Sequence, residues 1–379
     1  MRVFSPCQNS SSNHTYRLGF ERGTVLVLVL LIVALVAGLS VKFAAQYQLG
    51  LARAETRWHG TQARAFLEGT EEVAKLMFPE GGDIDKEKDF LGEPWGSEVP
   101  IEDEGVSGFA RMTDATAQLN LNDLAGHQID LTKPDGAPDR YSEPQRRFIR
   151  LLQTFPDLPL DRNQAEMLLA AVVDWMDGDE DESGAGGAES NFYQGMEEPY
   201  RAANAFFKSV DELRLVRGFN ENPLLLTLLQ PFVTVLPVPD AGLNVNTLDL
   251  VGPYGKGINN LLLCLNSTTE LVPMSPEDMA QFFAKRPPDG WDLSTLDADW
   301  NSMFSGNPLD KTGLQINTKY FWLNSTVQLV DQRRSMRSLM KRGAEPGTLQ
   351  VIRRDDVFEL PTVDRSEKDE EDSDTELVE

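Results

Sequence analysis

The stretch from Asp174 to Glu189 holds the residues of this 379-residue sequence that are best suited to binding a ligand. It reads Asp-Trp-Met-Asp-Gly-Asp-Glu-Asp-Glu-Ser-Gly-Ala-Gly-Gly-Ala-Glu and directly follows an apolar segment. Carboxylates at this density repel one another unless a cation lies among them, and calcium accepts several oxygen ligands in a flexible arrangement. The stretch therefore predicts either a calcium site or, as the alternative, a solvated acidic loop.

The spacing of the acidic residues differs from that of an EF-hand. Counted from Asp177, the sixth position is Glu182, where the EF-hand loop has glycine. The twelfth position is Ala188, so that Glu189 comes one residue late. A catalytic pair of carboxylates is disfavoured, because no nucleophile or partner base lies nearby in the sequence.

Charge and cysteine content exclude several classes of protein. The chain has 35 Lys and Arg against 60 Asp and Glu, a net charge of −25. A nucleic-acid-binding protein is excluded, because phosphate contacts need a basic surface. Cys7 and Cys264 are the two cysteines, which form no disulfide framework and match no zinc motif. We therefore expect neither a nucleic-acid partner nor a disulfide-rich fold.

An apolar run near the N-terminus predicts a membrane-spanning segment. Residues 24–41 carry no charge, and as a helix they would be about 27 Å long, close to the hydrocarbon thickness of a bilayer. Arginines before the run and an acidic chain after it place the N-terminus in the cytoplasm. Apolar residues continue on one helical face through residues 42–78, which predicts a single helix of about 55 residues.

Three interpretations of this N-terminus stay open on the residues alone. A cleaved signal peptide would have a shorter apolar region and then a small-residue cleavage site, for which Ala44-Ala45 is a weak match. A signal anchor would keep the whole segment. The third interpretation is a leader peptide over residues 1–23, because Arg22-Gly23 directly precedes the apolar run as in type IV prepilins.

The remaining chain divides by its apolar spacing into four parts. Residues 79–122 contain a predicted strand between 99 and 112, and residues 123–240 read as helical. Residues 241–355 contain predicted strands near 243–247, 319–330 and 348–353 and a helix at 276–283 with Ser275 as its N-cap. Residues 356–379 are acidic with few apolar groups, which predicts a disordered tail.

The predicted fold class is therefore α+β, with a long N-terminal helix and an antiparallel sheet that a large all-α insertion interrupts. Within the insertion, residues 123–240, the apolar pattern predicts helices at 143–155, 165–175, 200–207, 210–216 and 223–231.

Several motifs together resemble the general secretion pathway protein K family, the minor pseudopilins K of type II secretion systems. They occur in the family's order across residues 22–250, with a looser match at 320–330. In this sequence they are Arg22-Gly23, Leu119-Asn-Leu-Asn with Leu124, Asp174-Trp-Met-Asp-Gly-Asp, Gly187-Ala-Glu, Tyr193, Tyr200-Arg-Ala-Ala-Asn, Glu212-Leu-Arg-Leu-Val-Arg-Gly, Leu236-Pro and Leu243-Asn-Val-Asn-Thr.

The resemblance implies a type IV pilin-like fold and a non-enzymatic role. It implies cleavage by the prepilin peptidase after Gly23 and methylation of Thr24, with the globular part in the periplasm and a single span in the inner membrane. The implied partners are the minor pseudopilins I and J in a tip complex, the major pseudopilin and the inner-membrane secretion platform. Leu28 occupies the fifth mature position, where pilins usually have glutamate, which suits a first subunit.

The resemblance also implies calcium binding at the acidic stretch, with Asp174, Asp177, Asp179 and Glu189 as the better ligand candidates and Asp181 and Glu182 as weaker ones. Two other functions stay open at this point. One is a minor pilin of a type IV pilus or competence system, and the other is a membrane-anchored, calcium-dependent periplasmic enzyme.

Overall fold

The structure is a computed structural model that describes residues 22–77, 88–103, 105–237, 239, 241–255, 257–330, 332–343 and 348–357. Most of the predicted leader peptide and the tail beyond residue 357 lie outside these residues. The chain divides into two units, Met1–Thr61 and Gln62–Glu379, and each is described by itself.

Helix α1, Arg22–Leu76, is 55 residues long and confirms the prediction of one uninterrupted helix. Within the described residues it is the one helix that is long and apolar enough to cross a membrane, and its most apolar window is entirely exposed. In the second unit, the last turns of α1 bury one face, with Ala63, Leu67, Thr70 and Ala74 at the spacing of a helical stripe.

That stripe packs on a five-stranded antiparallel sheet with the order β1-β2-β7-β8-β9. The strands are β1 Glu98–Asp103, β2 Val106–Asp114, β7 Tyr320–Leu329, β8 Gln332–Arg342 and β9 Leu349–Val357. Gly108 of β2 faces Thr326 of β7, and a Cβ at Gly108 would lie 2.1 Å from the Thr326 carbonyl oxygen. A larger residue there would push the two strands apart.

The two central strands β2 and β7 are far apart in sequence but pair directly, from Val106 opposite Leu329 to Asp114 opposite Phe321. The predicted α+β fold with an interrupted sheet is therefore confirmed. The interruption contains helices α2 Glu143–Leu152, α3 Arg162–Met176, α4 Ser190–Gln194, α5 Pro223–Leu229, α6 Asn260–Leu263, α7 Pro276–Phe283 and α8 Leu293–Met303.

One hydrophobic cluster joins all seven of these helices, from Leu119 to Leu314. The helical body therefore continues past the predicted boundary at 240 as far as residue 319, because α6, α7 and α8 bury their apolar faces in the same core as α2 and α3. The insertion is also not purely helical. It contains two short pairs of parallel strands. Strand β3, Leu119–Asn120, pairs with β4, Val233–Thr234, and strand β5, Leu243–Asn244, pairs with β6, Leu314–Gln315.

Asparagine side chains hold the first of these strand pairs in place. Asn120 Oδ1 accepts a hydrogen bond from the Leu236 amide at 3.0 Å, and Asn122 Nδ2 donates to the Leu236 carbonyl at 2.7 Å. The Leu-Asn-Leu-Asn motif thus ties the start of the helical region to residue 236. At the other end of the fold, β9 ends at Val357 and so includes the first two residues of the predicted tail.

Candidate metal centre

The end of α3 positions the acidic stretch. Asp161 caps the helix by accepting a hydrogen bond from the Gln164 amide, and the apolar face that includes Leu169 and Val172 is buried in the core. The helix ends at Met176, so Asp174 lies in its last turn and Asp177 follows directly. Because the helix is fixed by its apolar face, the carboxylate of Asp174 is held inside the protein.

Asp174 organises the loop that follows. Its Oδ1 accepts a hydrogen bond from the Ser183 amide at 2.9 Å, and its Oδ2 accepts one from the Ala188 amide at 2.8 Å. The chain therefore folds back over the end of α3. Gly187 is required at this point, because a Cβ there would lie 2.3 Å from Asp174 Oδ2.

The fold brings three carboxylates together. One ligand oxygen from each of Asp174, Asp177 and Glu189 lies within 4.8 Å of the others. Glu189 is only 3% exposed, and neither of its carboxylate oxygens has a hydrogen-bond partner. Asp177 Oδ1 is also buried without a partner. Buried charges that lack partners are costly, so this arrangement is suited to a cation.

The electrostatics of the three carboxylates lead to the same conclusion. Burial raises the pKa of Glu189 to about 8, and the neighbouring charges of Asp174 and Asp177 add to the rise. Burial likewise raises the pKa of Asp177 to about 7, with further contributions from Asp179 and Asp174. Burial also raises the pKa of Asp174, against its hydrogen bonds to Ser183 and Ala188. A bound cation would keep all three groups ionised.

The donor set fits calcium better than a transition metal. The group consists of oxygen donors alone, and the loop after α3 is rich in glycine. Carboxylate oxygens in flexible geometry are the ligands that calcium prefers, whereas zinc prefers histidine and cysteine.

Three of the four predicted ligands are in this group, and Asp179 is not. Its Oδ2 accepts a hydrogen bond from Gln128 Nε2 at 3.1 Å, and its Oδ1 accepts one from the Asp181 amide at 3.0 Å. Asp181 and Glu182, the weaker candidates, are exposed. The predicted processing residues Gly23 and Thr24 lie in the first turn of α1.

Arg217 holds the loop between α3 and α4 in place, a role that the sequence analysis did not predict. Its Nη1 donates to the Gly187 carbonyl at 2.8 Å, and its guanidinium lies 4.7 Å from the centre of the Phe192 ring. Its backbone amide donates to the Tyr193 hydroxyl at 3.2 Å. The Leu-Val-Arg-Gly motif gave no signal of this contact, because the loop is 30 residues earlier.

Comparison with known proteins agrees with this fold. A family described as "Type II secretion system (T2SS), protein K" matches residues 117–238. The chain also resembles the GspK-GspI-GspJ complex from the enterotoxigenic Escherichia coli type 2 secretion system, a crystal structure. The TM-score is 0.61 and the identity 21%, over 80% of this chain and 99% of that chain.

Two relatives named type II secretion system protein K match this chain over most of its length. Type II secretion system protein K of Pseudomonas aeruginosa is 30% identical over 342 residues, which is 88% of this chain and 92% of the relative. The protein of that name from Aeromonas hydrophila is 27% identical over 338 residues, which is 88% of this chain and 96% of the relative. The chain therefore belongs to the type II secretion system protein K family, the minor pseudopilins K.

Proposed function

We propose that this chain forms, with the minor pseudopilins I and J, the tip complex that starts and caps the pseudopilus for protein export across the outer membrane. The observation that carries the proposal is a pilin-like sheet that a large helical body interrupts between β2 and β7. The solved relative with this fold is in a complex of GspK with GspI and GspJ. The secretion relatives favour this function over a minor pilin of a type IV pilus or competence system.

The proposed location is the inner membrane, with a single span and a periplasmic body. Residues 24–41 of α1 are apolar and fully exposed, as a segment surrounded by lipid or by other helices would be. Ala34, Ala37 and Gly38 are small, and small residues let membrane helices approach closely. A Cβ at Gly38 would contact nothing in the chain, which leaves room for a partner helix.

Two features support a place at the very end of the filament. The helical body is much larger than a pilin sheet needs, and its bulk would block the addition of a subunit above it. Leu28 stands where the resemblance expects the glutamate that pairs with a neighbouring subunit, and a charged residue in the membrane is tolerated only with a partner. A subunit at the tip has no earlier neighbour to pair with.

The proposed role of the metal centre is structural. Asp174, Asp177 and Glu189 would hold calcium, which would fix the loop between α3 and α4 by neutralising their charges. No catalytic role is assigned to these residues, because a pseudopilin acts by assembly. Isothermal titration of calcium into the full-length, detergent-solubilised chain tests the centre, and no heat of binding would refute it.

Mass spectrometry of the N-terminus tests the assembly role. The processed chain is expected to begin at methylated Thr24, because the prepilin peptidase cuts after Gly23. A chain that keeps Met1 in cells with active secretion would refute the proposal. Replacing Gly23 with a bulky residue should block processing and assembly together.

Co-purification separates secretion from pilus assembly. The processed chain is expected to capture the minor pseudopilins I and J from cells that express all three, and not the minor pilins of a type IV pilus expressed in the same way. Capture of the pilins alone would favour the alternative. A variant without α1 residues 24–41 serves as the control for membrane-dependent capture.

A further inference from the structure

The last two strands carry a charge opposite to that of the rest of the chain. Strands β8 and β9 contain seven Lys or Arg and two Asp, in a protein whose net charge is −25. Two of the seven pair with buried carboxylates, Arg342 with Asp89 and Arg354 with Glu71. Of the other five, Arg353 pairs with Asp355 of its own strand, and the remaining four leave a basic surface on an otherwise acidic molecule.

The face of the sheet that points away from α1 holds the core of this surface. There the guanidinium of Arg337 lies 3.9 Å from the centre of the Trp322 ring, and that of Arg353 lies 5.1 Å from the same ring. Arg333 and Lys341 are exposed on the same face of β8, since they alternate in step with Arg337. We call Trp322, Arg337 and Arg353 the Arg337 site.

Arg337 makes no salt bridge within the described residues, although Asp355 lies directly opposite it in β9 and its charge acts on the guanidinium. Its Nε is buried without a hydrogen bond, and the guanidinium forms no hydrogen bond or ion pair within the described part of the chain. Asp355 forms its ion pair with Arg353 at 3.0 Å, so two arginines share one carboxylate. Burial lowers the pKa of Arg337 to about 10, against the charge of Asp355, although an arginine normally stays ionised well above this. A half-buried guanidinium that shares its only nearby carboxylate is a place where a further carboxylate would be stabilised.

The chain supplies such carboxylates next to this site. Residues 358–379 contain ten Asp or Glu and only two basic residues, and they begin directly after Val357, the last residue of β9. Val357 is opposite Ser335 in β8, so Arg337 is two positions, about 7 Å, further along that strand. A segment tethered this closely has an effective concentration in the millimolar range.

We propose that the acidic segment 358–379 folds back on the sheet and places its carboxylates against Arg337 and the exposed Arg333 and Lys341 on the same face of β8. The segment would complete the ion pairing that the Arg337 site lacks and cover the basic face of β8. It would thereby be an internal ligand of the fold and not a free solvated tail.

Limited trypsin digestion of the full-length, detergent-solubilised protein tests this proposal, because the segment contains Arg365 and Lys368 as cleavage sites. Mass spectrometry measures the rate of cleavage after Arg365 and after Lys368. Each rate is compared with the rate at the same bond in a free peptide of residues 358–379. In the wild-type protein, cleavage is expected to be at least about tenfold slower than in the peptide.

Two variants remove the interaction from opposite sides. Arg337→Gln removes the basic partner, and a second variant changes all ten acidic residues of the segment to their amides without altering the described body. In both variants the segment is expected to be cleaved at a rate within about twofold of that of the corresponding free peptide. The control is Arg214→Gln, which changes an exposed arginine of the helical body that pairs with Asp211. This variant should keep the protection from trypsin.

Two outcomes would overturn the proposal. Wild-type protein cleaved as fast as the free peptide would mean that the segment is not docked. Protection lost in the amide variant but kept in Arg337→Gln would mean that the segment docks elsewhere.

Discussion

Arg354 of β9 donates two hydrogen bonds to Glu71 of α1, from Nε to Oε1 at 2.8 Å and from Nη2 to Oε2 at 2.7 Å. Ser338 of β8 donates a third to Oε1 at 2.7 Å. One buried carboxylate therefore joins the stem helix to the last two strands of the sheet. Burial raises the pKa of Glu71, but the bonds from Arg354 and Ser338 outweigh it and leave the pKa below its ordinary value.

Glu71→Gln is expected to lower the free energy of unfolding at pH 7 by about 2 kcal/mol, since charged hydrogen bonds become neutral ones. Because the pKa is lower in the folded state, the contribution of Glu71 is complete above the unfolded pKa of about 4.3. It disappears as the pH falls through the folded value, so the difference between wild type and variant should shrink below about pH 4. Urea denaturation of wild type and Glu71→Gln at several pH values measures this difference in the free energy of unfolding.

The control for this prediction is the neighbouring Glu72→Gln. Glu72 is 71% exposed and pairs with Lys75 on the helix surface, and exposed pairs contribute about 0–1 kcal/mol. An equal loss in both variants, or a Glu71→Gln loss that persists at low pH, would contradict the role assigned to Glu71.

Gly187→Ala is expected to abolish calcium binding, because the new methyl group would displace the carboxylate of Asp174. Gly178→Ala is a matched change in the same loop, and a Cβ at Gly178 would meet nothing within 4 Å. Gly178→Ala should therefore bind calcium as the wild type does. Calorimetric titration of both variants checks the prediction, which fails if they behave alike.

Glu189→Gln is expected to have opposite effects with and without calcium. In the presence of a chelator the variant should be more stable than wild type by about 1–3 kcal/mol, because folding at neutral pH forces Glu189, whose pKa rises to about 8, to take up a proton. With calcium at 100 times its Kd, wild type should gain about 2.7 kcal/mol and the variant much less.

Thermal denaturation with and without calcium checks the Glu189 prediction. Asp181→Asn is the control, since Asp181 is exposed in the same loop and should leave both measurements unchanged. A Glu189→Gln protein that responds to calcium as strongly as wild type would remove Glu189 from the ligand set.

Arg150→Met is expected to destabilise the helical body by about 3–5 kcal/mol, because it leaves three backbone carbonyls without their donor and removes one of the three arginines that pair with the buried Glu143. The guanidinium of Arg150 is fully buried. It donates to the carbonyls of Cys264, Ser267 and Glu270 at 2.7–3.1 Å.

The matched control is Arg214→Met, whose arginine is 66% exposed and pairs with Asp211, which is 64% exposed. That change should cost less than about 1 kcal/mol. Equal denaturation midpoints for the two variants would contradict the role of Arg150 in joining α2 to the segment before α7.

Local signals were enough to predict the elements with strong patterns. The apolar run and its amphipathic continuation gave α1, and Ser275 followed by proline gave α7, which begins at Pro276 with Ser275 accepting a hydrogen bond from the Asp278 amide. The density of carboxylates pointed to the stretch in which Asp174, Asp177 and Glu189 lie close together. These signals act within a few residues, so one sequence contains them in full.

Elements that depend on distant contacts were missed or wrong. The predicted helix at 200–207 is irregular, because Tyr200 stacks on Tyr193 at 5.1 Å and Asn204 adopts a positive φ of 45°. Strand β8 was not predicted, because five basic residues hide its alternation. Asp179 is a predicted ligand that lies outside the group of three carboxylates, and sequence spacing cannot reveal its hydrogen bond to Gln128.

The direct pairing of β2 with β7 has a consequence for biogenesis. Roughly 200 residues separate these neighbours in the sheet, and closing so long a loop is slow and entropically unfavourable unless the intervening chain has already compacted. A nascent polypeptide that has emerged only as far as residue 319 contains two of the five strands, with the edge of β2 uncovered. Truncated or stalled products should therefore be prone to aggregation and proteolysis, however well their helical body has formed.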